Sequence, residues 1–202
     1  RAMNIIVSGG GTGGHIYPAL TIIRAIQRSE PSARILYVGG KNGLEADIVP
    51  REGIDFIAMD LAGFERKISL ENIGRAWRAL RAVARARGIV HGFQPNVAIG
   101  TGGYVAGPIL LAASLAGVPT LVQEQNVFAG VTNRILAKFA TAIAVGMEDA
   151  QRVFPREKTY VTGNPIRPEV LTATREAGAR AFGFDTAKKT VLVSGGSRGA
   201  RS

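Results

Sequence analysis

Short apolar runs alternate with longer stretches of helical periodicity between residues 1 and 163. The apolar runs have the length and β-branched content of buried strands, and seven are predicted: 4–8, 34–39, 54–59, 96–100, 119–123, 141–145 and 159–162. Helices are predicted over 16–29, 44–51, 70–88, 106–116, 130–139 and 147–153. This alternation predicts an α/β fold, a Rossmann-like doubly wound parallel sheet.

The pattern changes after the seventh strand. Two prolines and a glycine within residues 163–168 predict a boundary. A helix is predicted over 169–182, and a strand over 190–193 leads into a second glycine-rich segment. We therefore predict an N-terminal domain over 1–163, followed over 164–202 by a hinge and the truncated start of a second, C-terminal domain.

Composition and charge narrow the class of protein. The 202 residues are 46% apolar and 20% charged, and they include no cysteine, so disulfides and thiolate metal sites are excluded. No apolar run approaches the ~20 residues that span a bilayer, and no signal peptide is recognisable, which predicts a cytoplasmic protein. A net charge of +10 favours phosphorylated ligands or an anionic membrane surface, or reflects only an arginine-rich proteome. No nucleic-acid-binding motif is present.

A glycine-rich loop follows the first strand and precedes the first helix. Its residues 8–15 read Ser-Gly-Gly-Gly-Thr-Gly-Gly-His. Backbone N–H groups in such a loop and at a helix N-terminus bind phosphate or diphosphate, which makes Thr12, Gly13 and Gly14 candidate ligand-binding residues. The loop also fits the dinucleotide fingerprint, but the second strand ends in Gly-Gly-Lys without the acid that holds a ribose. An NAD-dependent oxidoreductase is therefore the weaker alternative.

In a doubly wound sheet, ligands bind at the carboxyl ends of the strands, which here also selects the loops 100–104, 124–128 and 163–167. Gly102 and Gly103 form a tight turn or cradle an anion. We favour the anion, because one glycine suffices for a turn. Tyr104 either stacks on a sugar or packs in the protein.

Five motifs of the chain resemble, in the same order, those of the MurG glycosyltransferases. They are Gly-Gly-Thr-Gly-Gly-His at 10–15, Thr-Gly-Gly-Tyr-Val-Ala-Gly-Pro at 101–108, Glu-Gln-Asn at 124–126, Gly-Asn-Pro-Ile-Arg at 163–167 and Gly-Gly-Ser-Arg-Gly-Ala-Arg at 195–201. The sequence departs from the family at Arg198, where glutamine is usual, and by ending before the rest of the donor domain.

The resemblance implies a GT-B fold and a defined reaction. N-acetylglucosamine would pass from UDP-N-acetylglucosamine to the muramoyl 4-hydroxyl of lipid I, an undecaprenyl-diphosphate acceptor, with inversion. The product is lipid II, for peptidoglycan synthesis. The enzyme would be peripheral, at the cytoplasmic face of the cell membrane, with no cofactor and no protein-bound catalytic metal. Alternatives are a related lipid glycosyltransferase, such as a diacylglycerol glycosyltransferase, and a non-catalytic membrane-recruiting domain.

Sugar transfer to a hydroxyl needs a general base, and two residues are candidates. His15 lies at the expected start of the first helix, where the helix dipole favours the neutral imidazole, or it only caps the loop or binds phosphate. Glu124 is a base, orients the acceptor, or merely accepts backbone hydrogen bonds. The resemblance further assigns Asn126 to the junction of donor and acceptor and Ser197 to the donor phosphates. Arg167 can grip a diphosphate.

The predicted helix 70–88 carries two separate stripes. Ile73, Trp77, Leu80 and Ala84 share one face, and Arg75, Arg78, Arg81 and Arg85 cluster on another. The apolar stripe either packs on the core or contacts a membrane, with the arginines facing anionic headgroups.

Overall fold

The computed structural model describes residues 2–60 and 72–193, and for 72–80 the backbone alone. Within them a single sheet of seven strands forms, comprising β1 Asn4–Gly9, β2 Arg34–Gly40, β3 Asp55–Met59, β4 Val97–Gly102, β5 Thr120–Glu124, β6 Ala142–Val145 and β7 Thr159–Val161. All neighbouring strands are parallel, in the order β3-β2-β1-β4-β5-β6-β7. The predicted doubly wound sheet and its seven strands are confirmed.

Helices cover both faces of this sheet, which is why its strands are continuous apolar runs. They are α1 Gly13–Ser29, α2 Glu45–Arg51, α3 Asn72–Phe93, α4 Ala106–Leu115 and α5 Val131–Leu136. One core joins α1 and α2 to alternate residues of the strands, such as Val7, and the other joins α3, α4 and α5 to the intervening ones, such as Ile6. The helix predicted at 147–153 is a 3-10 helix, Glu148–Val153.

The predicted apolar stripe on α3 does not face the core where it can be followed. Ala84 is exposed, whereas Ala82, Ala86 and Val90 are buried. The core-facing interpretation is therefore wrong for Ala84. The side chains of Ile73, Arg75, Trp77, Arg78 and Leu80 lie outside the described residues.

The chain divides into two compact units, 1–165 and 166–202. The second unit contains α6 Pro168–Thr172 and α7 Arg175–Phe182. The single helix predicted over 169–182 is interrupted because Ala173 adopts an extended conformation, and Thr174 caps α7 by accepting a 3.2 Å hydrogen bond from Ala177 N–H. The domain assignment itself stays a prediction.

The strand predicted over 190–193 does not form. Val191, Leu192 and Val193 are each more than four-fifths exposed. A strand needs a neighbour to pair its N–H and C=O groups, and no described residue of this unit belongs to one. The glycine-rich segment 194–202, including Ser197, lies outside the described residues. None of the described helices has both the length and the hydropathy to cross a bilayer.

Candidate functional site

The candidate site lies where the strand order of the sheet reverses. β1 is flanked by β2 on one side and β4 on the other, so the loops that follow β1 and β4 diverge to opposite faces. Such a switch point opens a crevice at the carboxyl ends of the strands. The loops after β1, β4 and β5 meet here, as the sequence predicts.

His15 joins these three loops from the first turn of α1. Its Nδ1 lies 3.0 Å from the backbone oxygen of Thr101 and 3.1 Å from Oε1 of Gln125. The amide of Gln125 is oriented by its Nε2, which donates to the same Thr101 oxygen at 2.8 Å. Both neighbours of Nδ1 are acceptors, so Nδ1 carries the hydrogen and donates it.

The other ring nitrogen of His15, Nε2, makes no hydrogen bond to the described residues. In a neutral imidazole with hydrogen on Nδ1, Nε2 holds a lone pair. Within the part of the chain that the structure describes, Nε2 has no hydrogen-bond partner, and the side chain is half-buried. This is the protonation pattern that a general base requires.

The first glycine loop has two N–H groups already occupied and three that are not. Gly10 N–H donates to Gly102 O at 3.3 Å, and Gly11 N–H donates to Oε2 of Glu45 at 3.1 Å. The N–H groups of Thr12, Gly13 and Gly14 have no partner among the described residues. Of the N–H groups of residues 10–14, only those of 12–14 are therefore available to an anion.

The second glycine loop packs directly against the first. Gly102 and Gly103 have φ angles of +107° and +81°, which L side chains rarely adopt. A Cβ on Gly103 would lie 2.2 Å from the carbonyl oxygen of Gly10, and one on Gly102 would lie 2.8 Å from Nδ1 of His15. Both glycines are thus required by the fold, and the expectation that one glycine suffices for the turn is wrong. Their role in binding substrate stays a prediction.

Tyr104, next to these glycines, lies beside the first loop. Its ring carbon Cε1 is 3.4 Å from the position that a Cβ on Gly11 would take. Its contact with a sugar stays a prediction.

Glu124 is almost completely buried and is surrounded by donors. Its Oε1 accepts from the backbone N–H and the side-chain Nδ2 of Asn126, both at 3.0 Å, and its Oε2 accepts from Gly130 N–H at 3.0 Å and from Nδ2 of Asn133 at 2.8 Å. Four hydrogen bonds of this kind favour the interpretation in which Glu124 shapes the loop after β5. A base role for Glu124 stays a prediction, as does the role of the exposed Asn126.

The fourth loop reaches the site through Asn164, whose Nδ2 donates to the backbone oxygen of Gln125 at 3.1 Å. Arg167 belongs to the second unit, where it precedes α6. No group of three metal-ligating side chains occurs in the described residues.

Sequence reasoning missed two residues of this site, Gln125 and Glu45. Gln125 stands inside the Glu-Gln-Asn motif, which marks it as a candidate. Glu45 is the first acid after β2, and nothing in the sequence indicates that it turns inward to the loop.

A family model covers most of this structure. The model of the glycosyltransferase family 28 N-terminal domain matches residues 5–145. The chain belongs to glycosyltransferase family 28. The matched range includes nearly all of β1, the whole of β2 to β6 and every loop of the site except the last.

Curated relatives extend the similarity over 98% of this family 28 chain. It is 52% identical to the UDP-N-acetylglucosamine–N-acetylmuramyl-(pentapeptide) pyrophosphoryl-undecaprenol N-acetylglucosamine transferase of Desulforamulus reducens, and covers 54% of that protein. It is 48% identical to the protein of the same name from Halalkalibacterium halodurans, of which it covers 55%. The chain thus spans about half the length of the curated relatives it matches.

Solved structures agree on the fold. The crystal structure of Acinetobacter baumannii MurG is 27% identical with a TM-score of 0.69, over 82% of this chain and 46% of that one. A Neisseria meningitidis UDP-GlcNAc 2-epimerase, 16% identical with a TM-score of 0.61 over 92% of this chain and 54% of that one, shares the fold alone.

Proposed function

We propose that this chain is the acceptor-binding half of an inverting transferase that makes lipid II. N-acetylglucosamine passes from UDP-N-acetylglucosamine to the muramoyl 4-hydroxyl of lipid I. The names of the relatives support these substrates. The proposal is carried by the geometry of His15. Among the described residues its Nε2 has no hydrogen-bond partner, and neither do the neighbouring N–H groups of Thr12, Gly13 and Gly14.

The proposed chemistry is a single displacement. The acceptor oxygen attacks the anomeric carbon of N-acetylglucosamine, the bond from that carbon to the UDP oxygen breaks, and the configuration inverts. Nε2 of His15 receives the proton of the acceptor hydroxyl, which offsets the charge that develops on the attacking oxygen. UDP leaves with the electron pair of the broken bond.

The diphosphate of the acceptor is assigned to the first glycine loop. At the start of a 17-residue helix, three N–H groups without a partner in the described part of the chain offer directed donors, together with the positive end of the helix dipole. Dinucleotide binding is less favoured, because Glu45, the first acid after β2, is buried and bonded to the loop backbone instead of facing a ribose. The names of the relatives favour lipid I over diacylglycerol as the acceptor.

Replacing the proposed base tests the reaction. In the full-length protein, His15→Ala should lower kcat by about 10² to 10⁴-fold and change the KM for a lipid I analogue much less. The matched control is His91→Ala, because His91 is the chain's second histidine and is exposed near the end of α3. If His15→Ala raises KM alone, the residue binds the acceptor and is not the base.

Attachment to the membrane is assigned to an apolar surface near the site, here termed the α5 patch. Its members follow β5 or lie on and beside α5: Val127, Phe128, Val131, Ile135 and Phe139. Phe128 is 90% exposed and Val131 67%, which is unusual for large apolar side chains. Arg134 and Lys138 are exposed between these residues, so the patch suits an anionic membrane surface.

Co-sedimentation with anionic vesicles, across a salt series, tests this location. Phe128→Ser with Ile135→Ser should reduce binding, and Arg134→Gln with Lys138→Gln should weaken its salt dependence. Leu171→Ser is the control, because Leu171 is also well exposed but belongs to the second unit. If the patch variants bind like the parent and Arg75→Gln, Arg78→Gln and Arg81→Gln together abolish binding, the membrane surface is on α3.

A further inference from the structure

Glu45, at the start of α2, is a fully buried carboxylate that touches the first glycine loop from behind. Its Oε1 accepts a hydrogen bond from Gly40 N–H at 2.9 Å, and its Oε2 accepts from Gly11 N–H at 3.1 Å. No described residue forms an ion pair with it. A buried charge is expensive unless it is hydrogen-bonded, so this placement indicates a specific role.

Three glycines make room for the carboxylate. A Cβ on Gly10 would lie 2.2 Å from Oε1 of Glu45, one on Gly43 would lie 2.3 Å from its Cδ, and one on Gly39 would lie 2.6 Å from its Cγ. Gly10 lies in the loop after β1, Gly39 at the end of β2 and Gly43 in the turn before α2. The close contact between Glu45 and the loop is therefore built from three separate segments.

The contact fixes the direction of the loop. Gly11 has a φ of +80°, and its N–H points back to Glu45. Gly9, two residues earlier, is also held by a buried side chain. The hydroxyl of Tyr37 donates a hydrogen bond to the carbonyl oxygen of Gly9 at 2.7 Å. Burial, and then the charge of Glu45, raises the pKa of Tyr37, so the phenol stays protonated as a donor.

We propose that Glu45 is a positioning residue for anion binding: it accepts the Gly11 N–H and so leaves those of Thr12, Gly13 and Gly14 directed at the ligand. The proposal rests on the proposed anion role of this loop. Glu45 follows β2, as the ribose-binding acid of a dinucleotide site does, but it turns inward and organises the phosphate loop.

The contact itself can be tested in the parent chain by NMR. The Gly11 amide should be protected from hydrogen exchange and shifted downfield, because it donates to a charged acceptor. In Glu45→Gln it should move upfield and exchange faster. A Gly11 amide that exchanges in the parent as fast as an exposed one overturns the proposal, whatever the variants do.

The consequence for the ligand is tested by titrating inorganic pyrophosphate into the chain. Glu45→Gln and Gly43→Ala should each weaken its binding about tenfold, the first by removing the charged acceptor and the second by displacing it. Asp47→Asn is the matched control, because Asp47 lies on the same helix but is exposed and paired with Arg51 at 2.7 Å. Folded Glu45→Gln and Gly43→Ala variants whose affinity stays within about twofold of the parent overturn the proposal.

Kinetics separate this role from that of His15. In the full-length protein, Glu45→Gln should raise the acceptor KM more than it lowers kcat, the reverse of His15→Ala. If Glu45→Gln instead lowers kcat as much as His15→Ala does and leaves the acceptor KM unchanged, Glu45 does not position the loop for binding. If the parent chain binds no pyrophosphate, the anion role of the loop is wrong. The exchange rate of the Gly11 amide still shows, independently, whether Glu45 holds the loop.

Discussion

The position of the hydrogen on the His15 ring is set by two neighbouring groups that do not titrate, the backbone carbonyl of Thr101 and the side-chain amide of Gln125. Thr101 O accepts from both Nδ1 of His15 and Nε2 of Gln125, and this shared acceptor prevents the amide of Gln125 from turning over. Oε1 of Gln125 therefore faces the imidazole and can only accept. At the scale of single residues, the site consists of a candidate base together with the groups that keep its hydrogen on Nδ1.

Tyr37 provides a prediction about stability at alkaline pH. Burial, followed by the charge of Glu45, raises its pKa above the ordinary value of 10.0. Above that value the unfolded chain loses a proton that the folded chain keeps, so this contribution to the free energy of unfolding is complete below about pH 10 and falls as the pH rises further. Tyr37→Phe should remove this part of the slope.

The measurement is urea unfolding of the parent and Tyr37→Phe from about pH 8 to pH 11. At the lower pH the variant should already be less stable by about 1 kcal/mol or more, because Gly9 O loses its donor. Tyr160→Phe, at an exposed tyrosine, is the control and should keep the slope of the parent. Parallel slopes for the parent and Tyr37→Phe would contradict the prediction.

At the scale of elements, α3 packs on the sheet with small residues. Ala82, Ala86 and Val90 form its described buried face, and α4 packs beside it. Small side chains let the helix lie close to its neighbours. Its outer face is not optimised for stability, because Gly88 and Gly92 stand in the helix and a Cβ added to either would meet nothing within 4 Å.

Gly88→Ala should therefore stabilise the chain by about 0.5–1 kcal/mol, since alanine has the higher helix propensity and restricts the unfolded chain. Chemical denaturation measures the change. Gly103→Ala should have the opposite sign, because φ is +81° and the new Cβ would meet Gly10 O at 2.2 Å. Two substitutions of the same chemistry thus separate helix propensity from backbone constraint, and equal effects would refute this account.

At the scale of the molecule, we propose that the chain is the acceptor-binding half of the transferase. It covers 54–55% of the relatives that carry the transferase name. We predict that the 202-residue chain alone transfers no N-acetylglucosamine from its UDP donor to a lipid I analogue, although it binds pyrophosphate. The full-length protein under the same conditions is the control. Measurable turnover by the chain alone would contradict this division of labour.

The pattern of apolar and glycine residues is enough to predict the sheet and the edge at which the candidate site lies. Strands covered on both faces must be apolar throughout, so β1 to β7 are visible as short apolar runs. The carboxyl ends of parallel strands share one edge, so the loops containing His15, Thr101 and Glu124 could be expected to meet. In contrast, the apolar run at 190–193 does not form a strand, and no described residue of its unit pairs with it. An apolar pattern alone is therefore not enough to form a strand.

Which polar groups of the described residues are paired, and which are not, depends instead on contacts between distant parts of the chain. Gly11 and Glu45 are 34 residues apart in the chain, and His15 and Gln125 are 110 apart. Hydrogen bonds depend on distance and direction to within a few tenths of an ångström, and residue patterns do not carry that information. The fold therefore decides that Glu45 lies behind the loop, that Glu124 accepts from four donors, and that Nε2 of His15 has no partner among the described residues.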